Sequence, residues 1–114
     1  MKLKNEFTVI EEGAQYEVPN YEVVDGVGIE QVFSGQLVSF VRGSKLGDEE
    51  VERRVGTLHE HLLAVMIHDL KFKNTLAPSR ETALAITKLE EALHWLWQRQ
   101  VDRLARGVEG THKK

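Results

Sequence analysis

The sequence between residues 21 and 56 alternates short apolar runs with glycine-containing turn signals. The runs lie at residues 21–24, 29–33 and 37–41. Runs of β-branched and aromatic residues spaced this closely are typical of antiparallel strands joined by tight turns. We therefore predict a small antiparallel sheet, with turns at Asp25-Gly26, Ser34-Gly35 and Arg42-Gly43-Ser44. Residues 50–55 suit either a fourth strand, which we favour, or the approach to a helix.

The first twenty residues give a weaker pattern. They are polar and acidic, and Gly13 and Pro19-Asn20 interrupt any long regular element. We expect residues 1–20 to form either a tail or an edge strand.

After residue 56 the spacing of apolar residues changes to that of helices. Thr57 and Glu60 form a T-x-x-E capping box, which predicts a helix from Thr57 to about Phe72. Its apolar residues spread over more than half of the circumference, so we expect this helix to be contacted on more than one side.

A second helix is predicted from about Ser79 to Arg106. The connection to the first helix is about six residues long, which favours an antiparallel αα-hairpin over residues 57–106. One stripe is assigned to packing against the first helix: Ile86, Leu89, Leu93, Leu96, Trp97 and Leu104. Together with the sheet this gives an α+β fold in a single domain of residues 1–114, with residues 107–114 as a tail.

The second helix carries another face almost opposite that stripe, formed by Leu84, Lys88, Trp95, Arg99 and Arg106. Trp95 between two cations is suited to stacking a base while Lys88 and Arg99 hold phosphates. The alternative is that Leu84 and Trp95 pack on the sheet or on another subunit, with the cations at the rim. Both interpretations hold if ligand sites lie between subunits.

Further cations lie at the two ends of this helix. Arg80 has the wrong sign for a helix N-terminus, so it indicates either an anion site beside free backbone N–H groups or a salt bridge to a neighbouring acid. Arg103 and Arg106 extend the candidate set at the other end, followed by two glycines that suit either a ligand-closing loop or a C-cap and tail. Phe40 and Arg42, at the end of the third strand, complete the candidates.

Composition and charge exclude several classes of protein. Residues 1–36 hold two lysines against seven acidic residues, although the net charge of the whole chain is only −3. An acidic N-terminal third argues against DNA binding. No apolar run is long enough for a membrane span, and there is no cysteine. We expect a cytoplasmic protein.

Catalytic and metal-binding motifs are absent from the sequence. His59-Glu60-His61 is not H-E-x-x-H, and His61 and His68 are seven residues apart, whereas helical zinc pairs usually lie four apart. No nucleotide-binding or nucleophile motif is present. We therefore predict no catalytic residue, no metal and no cofactor.

The segment from Pro78 to Trp95 resembles the helical hairpin shared by phage anti-CBASS and anti-Thoeris sponge proteins. The shared pattern is P-S-R-E-x-x-L-A-x-T-x-L-E-x-A-x-x-W. With the preceding helix, the likeness extends over roughly residues 57–106. A sheet before the hairpin is more similar to the anti-Thoeris branch, and the tail from Ala105 to His112 resembles that of phage-encoded relatives.

The resemblance implies a protein that binds cyclic signalling nucleotides without turnover. Such proteins sequester cyclic di- or trinucleotides or cyclic ADP-ribose species in the host cytosol, and they assemble as dimers or hexamers with pockets between protomers. Arg80 is the motif position that we carry over as a ligand contact, whereas Glu81 and Thr87 match the motif and suit structural roles too. The alternatives are an oligomeric protein-interaction module of a phage or bacterium and an enzyme that degrades the messenger.

Overall fold

The computed structural model describes residues 6–106 and confirms the α+β fold. The elements are β1 (Thr8–Glu11), β2 (Gln15–Val24), β3 (Gly28–Ser39), β4 (Lys45–Leu46), β5 (Glu49–Glu50), α1 (His59–Leu76) and α2 (Arg80–Ala105). They belong to two compact units. Within the described range, the sheet unit comprises residues 6–42 and 53–56, and the hairpin unit comprises residues 43–52 and 57–106.

The sheet unit is built on an antiparallel sheet of strand order β1-β2-β3. Strands β2 and β3 form a long hairpin, and its turn lies at the predicted Asp25-Gly26. Val27 N donates to Val24 O over 3.1 Å. Gly26 closes this turn with φ of +79°, a conformation that glycine adopts without strain. Of the two alternatives for residues 1–20, the edge strand is observed as β1, and the strand predicted at residues 21–24 begins earlier, at Gln15.

The predicted turn at Ser34-Gly35 is wrong, because β3 continues through it. Pro19 pairs with Gly35 and the next printed pair is Tyr21 with Gln31, so β3 bulges there. Pro19 has no N–H to donate, which explains why the ladder breaks in the central strand at this point. Asn20 Nδ2 donates to Ser34 Oγ over 3.1 Å and holds the bulge.

The fourth strand predicted at residues 50–55 is also wrong. Its place is taken by the two-residue strands β4 and β5 in the hairpin unit and by an isolated bridge between Arg42 and Arg54 in the sheet unit. Gly56 follows with its backbone against Phe40, and a Cβ there would lie 2.4 Å from the Phe40 carbonyl carbon. Only glycine therefore permits this approach.

A charged cluster joins β1 to the two bridge residues. Glu11 Oε2 lies 2.7 Å from Arg42 Nη2 and 2.9 Å from Arg54 Nε, and Arg54 Nη2 donates to Glu11 Oε1 over 3.0 Å. Arg42 also donates to the Glu12 carbonyl over 2.7 Å. The hydrogen bond from Arg54, with the charges of both arginines, holds the pKa of Glu11 below its ordinary value.

The helix starts show one wrong and one correct prediction. Helix α1 begins at His59 after Leu58, which makes no side-chain cap, so the capping box at Thr57 is wrong. Ser79 caps α2 as predicted, and its Oγ accepts from Thr82 N over 3.0 Å. Asn74 Oδ1 accepts from Ser79 N over 3.0 Å, which ties the end of α1 to the start of α2.

The helices pack along a seam with alternating spacings of three and four residues. Its more buried positions are Glu60, Leu63, Ile67, Leu70 and Asn74 on α1 and Thr82, Ile86, Leu89, Leu93, Leu96, Gln100 and Arg103 on α2. A Lys71–Glu90 ion pair of 2.9 Å and a ring contact of His61 with Trp97 confirm the antiparallel arrangement. This 3.5-residue period is that of helices that wind around each other.

Two residues assigned to the packing stripe lie outside the seam. Leu104 is 63% exposed and Trp97 is 45% exposed, with its ring perpendicular to that of His61. Gln100 and Arg103 continue the seam instead. An apolar count at 3.6 residues per turn selected Leu104, whereas the winding of the pair brings in Arg103, whose Nε is buried.

Candidate ligand-binding face of the second helix

The outer face of α2 is formed by Leu84, Lys88, Trp95, Arg99 and Arg106, and all five side chains are exposed. It lies about 120° around α2 from the observed seam, whereas the sequence predicted a face almost opposite the packing stripe. Leu84 is 51% exposed and Trp95 is 69% exposed. The hairpin itself therefore leaves this face uncovered.

Trp95 is the centre of the outer face. Its indole is steeply inclined to the neighbouring His94 ring, with 5.4 Å between centroids, and it is not part of the hairpin core. Arg99 follows about 6 Å along the helix, one turn later, and it makes no ion pair or hydrogen bond with residues 6–106. A bare indole beside an uncompensated guanidinium suits a flat anionic ligand.

Lys88 is the third member of this group. Its Nζ lies 3.8 Å from Glu91 Oε1, and both side chains are more than half exposed. An exposed pair at that distance contributes little and is easily exchanged for a stronger anion. Lys88 thus stays available to a ligand.

Arg80 is the first residue of α2 and is exposed. It makes no salt bridge with any described residue, so the salt-bridge alternative is not observed. The Ser79 cap takes up the N–H group of Thr82. The positive end of the helix dipole and a free guanidinium coincide here, which favours an anion.

The remaining candidate residues have structural neighbours. Arg106 caps α2, with Nε donating to the Asp102 carbonyl over 3.3 Å, and Arg103 is half-buried in the seam. Phe40 is half-buried in the sheet unit, 6.0 Å from the Tyr16 ring. Arg42 is 7% exposed and bound to Glu11. The structure thus brings together Lys88, Trp95 and Arg99 on one face and holds Arg42 in a structural cluster.

A groove beside the seam was not foreseen from the sequence. It has a volume of about 490 Å³ and is lined by Ala64, Ile67, His68, Lys71, Glu90, Leu93, His94 and Trp97. The signal for it was the placement of His68 and His94 at positions flanking the packed stripe. No group of three possible metal ligands occurs in the part of the chain that is described, and no described helix is long and apolar enough to cross a membrane.

Fold and site together define a small α+β protein whose helical hairpin carries an exposed face with cationic and aromatic side chains. The family model of the Acb2/Tad1 hairpin domain matches residues 41–100. The chain belongs to this family, which confirms the resemblance to the anti-CBASS and anti-Thoeris proteins. The match includes Arg80, Lys88, Trp95 and Arg99.

A curated relative shows the likeness over a longer stretch. The chain is 45% identical over 83 residues to "Thoeris anti-defense 1" of Bacillus phage SBSphiJ7. The matched region covers 72% of this chain and 57% of the relative.

Proposed function

We propose that this protein is a non-enzymatic anti-defence protein that binds and sequesters a cyclic nucleotide immune messenger. The ligand would be a cyclic di- or trinucleotide or a cyclic ADP-ribose species. Support comes from family membership and from a relative named for Thoeris anti-defence. The observation that carries the proposal is Trp95, 69% exposed and flanked by Lys88 and Arg99.

The proposed roles of the residues on the outer face follow from the chemistry of the ligand. A cyclic nucleotide presents flat bases and phosphodiester anions, so it needs an aromatic surface and cations together. Trp95 stacks a base, which is worth about 1–3 kcal/mol. Arg99 and Lys88 pair with phosphate, and Arg80 supplies a second anion contact at the start of α2.

Sequestration requires enclosure, and one helix surface is convex. The pocket therefore forms between copies of the chain, with Leu84 and the apolar part of Trp95 in the contact. Burial between protomers slows dissociation, which a sponge needs in order to outcompete the effector. The proposed assembly is a homo-oligomer, and neither DNA nor a membrane is a partner.

The test is calorimetric titration against a panel of cyclic dinucleotides, cyclic trinucleotides and cyclic ADP-ribose isomers. We expect one messenger class to bind, and Arg99→Ala and Arg80→Ala each to weaken binding by roughly tenfold or more. Arg53→Ala is the matched control, because Arg53 is an exposed arginine of the sheet unit. Absence of binding by the wild type to every member would contradict the proposal.

Turnover is tested on the same complex. The protein is incubated with the bound messenger, denatured and removed, and the nucleotide is analysed by chromatography. Intact ligand agrees with sequestration, whereas a linear product would identify an enzyme that degrades the messenger.

One observation favours a second candidate, a protein-interaction module without a nucleotide ligand. Helix α1 exposes apolar side chains opposite the seam, with Val65 63%, Phe72 58% and Leu76 71% exposed. Their spacing of seven and four residues suits an approaching helix. This candidate predicts no heat with any nucleotide, and Trp95→Ala would change only the assembly.

A further inference from the structure

Glu91 is an acidic residue beside the outer face of α2, close to the residues that we assign to phosphate binding. It lies four residues before Trp95 on the helix, so the two Cβ atoms are about 5–6 Å apart. Its side chain is 58% exposed. A carboxylate in this position repels an anionic ligand, unless the ligand also donates hydrogen bonds to it.

The contact with Lys88 does not account for Glu91. Glu91 Oε1 lies 3.8 Å from Lys88 Nζ, which is too far for a hydrogen bond, and both side chains are exposed. The lysine precedes the glutamate, which is the order of charges that stabilises a helix less. An exposed pair of this kind contributes little to folding.

Both carboxylate oxygens of Glu91 are available as hydrogen-bond acceptors. Glu91 makes no hydrogen bond with any residue in the described part of the chain. Two nearby acids of α2 differ from it in this respect. Glu90 pairs with Lys71 over 2.9 Å. Asp102 Oδ1 accepts from Gln98 Nε2 over 3.2 Å. Glu91 therefore has acceptor capacity that the hairpin does not use.

Glu91 and the two cations lie on opposite sides of Trp95. At about 100° per residue, Glu91 is about 40° to one side of Trp95 around the helix axis. Arg99 is about 40° and Lys88 about 20° to the other side. Helical side chains lean towards the N-terminus, so the indole leans over the turn that contains Glu91. An aromatic surface thus separates a hydrogen-bond acceptor from two phosphate contacts.

A nucleotide carries its groups in the same order. The phosphate lies at one end, the flat base follows, and the Watson–Crick edge of the base is remote from the phosphate. With the phosphate at Arg99 and the base on Trp95, this edge faces Glu91. A carboxylate accepts two hydrogen bonds side by side, and guanine presents two adjacent donors there, N1–H and N2–H. Adenine presents one donor beside the lone pair of N1, which a carboxylate repels.

We infer that Glu91 recognises the base of the bound messenger and selects guanine over adenine. This inference rests on the proposed function, because it assigns a ligand group to the same site. Glu91 accepts from guanine N1–H and N2–H while the base is stacked on Trp95, and Lys88 exchanges Glu91 for the phosphate. Bidentate contacts of this kind discriminate between bases by roughly tenfold or more.

The experiment compares guanine and adenine members of each ligand class in the full chain by calorimetric titration. The pairs are cyclic di-GMP with cyclic di-AMP, cyclic tri-GMP with cyclic tri-AMP, and glyco-cyclic ADP-ribose with its guanine analogue. Glu91→Gln is the test variant, since an amide offers one donor and one acceptor and so suits adenine. Glu90→Gln is the matched control, because it removes the same charge from an exposed ion pair one residue earlier.

We expect the wild type to bind the guanine member of its class roughly tenfold or more tighter than the adenine member. This ratio should fall to about one or reverse in Glu91→Gln, and it should persist in Glu90→Gln. A purely electrostatic effect of Glu91 would instead strengthen both members equally in Glu91→Gln and leave the ratio unchanged. That result, or a wild type without a guanine preference, would overturn the inference.

The same titrations separate this inference from the proposed function. Binding of a messenger without a guanine preference contradicts the role of Glu91 and leaves sequestration standing. Binding of no member by the wild type contradicts the proposed function, and the inference falls with it.

The hydrogen bond itself is observed by NMR on the complex with the guanine member. The N1–H proton of a free guanine base exchanges rapidly with water, and its signal is broad. We expect a sharp N1–H signal in the wild-type complex and its loss in the complex with Glu91→Gln. The same signal in both complexes, or in neither, would contradict the contact.

Discussion

Helix α2 has two faces that do different work. The seam face holds Ile86, 8% exposed, and packs on α1, whereas the outer face holds Trp95, 69% exposed, and packs on nothing in the hairpin. Folding of the hairpin explains the apolar residues of the seam face, but it does not explain those of the outer face. A helix of 26 residues with apolar residues on two faces therefore encodes a fold and a further exposed surface at once.

The comparison predicts its largest effect at the seam. Ile86→Ala should cost about 2–4 kcal/mol of unfolding free energy, because it leaves a cavity between the helices. Urea denaturation followed by tryptophan fluorescence reports it, since both tryptophans lie on α2. Leu84→Ala, on the outer face, is the matched control and should change stability by less than about 0.5 kcal/mol. Equal losses of unfolding free energy in Ile86→Ala and Leu84→Ala would contradict the distinction between the seam face and the outer face.

A smaller effect is expected at the start of α2. Ser79→Ala removes the oxygen that accepts from Thr82 N, and it should cost about 1 kcal/mol. Ser79→Asp keeps an acceptor and should stay close to the wild type in the same denaturation experiment. A wild-type midpoint for Ser79→Ala would show that the cap does not define this end of the helix.

A still smaller loss of stability is expected at low pH, and it is confined to the sheet unit. Because the pKa of Glu11 is lowered on folding, its contribution is complete above the unfolded pKa near 4.5 and is lost as pH falls through the folded pKa. Amide signals of the sheet unit, followed by NMR, should lose stability over that range. Glu11→Gln should flatten this dependence, and an unchanged acid profile would refute the role of the arginine pair.

The smallest stability change is expected at Arg99. Arg99→Ala removes no ion pair or hydrogen bond within residues 6–106, so unfolding free energy should move by less than about 0.5 kcal/mol. The same substitution should weaken messenger binding by roughly tenfold or more. A destabilised Arg99→Ala with normal binding would place Arg99 in the fold and not in the site.

The sequence predicted the hairpin better than the sheet, for physical reasons. Caps and helical periodicity are local, so Ser79 and the outer face were recognisable from spacing alone. The bulge opposite Pro19 depends on the pairing with a partner strand. Without that partner, the composition of Ser34-Gly35 predicts a turn. Gln100 and Arg103 enter the seam only because two helices wind around each other.

The candidate site residues also divide into those with a local sequence signal and those whose surroundings depend on distant parts of the chain. Trp95 and Arg99 were recognisable because a cation beside an exposed aromatic has no purpose in a two-helix core. Arg42 was selected for its charge, but its carboxylate partner lies thirty-one residues earlier at Glu11, a distance that no local pattern reveals. The side of the sheet on which each residue lies follows from the register of β2 and β3, which the sequence left undetermined.

The most direct test of the account observes Trp95 itself. Trp97→Phe leaves Trp95 as the sole tryptophan of the chain, and Trp95→Phe leaves Trp97. On titration with the messenger identified by calorimetry, the emission of the Trp97→Phe chain should change in intensity and position with saturation, because a base covers the indole. Unchanged Trp95 emission with a bound messenger, or the same change reported by Trp97 alone, would contradict a ligand site on the outer face.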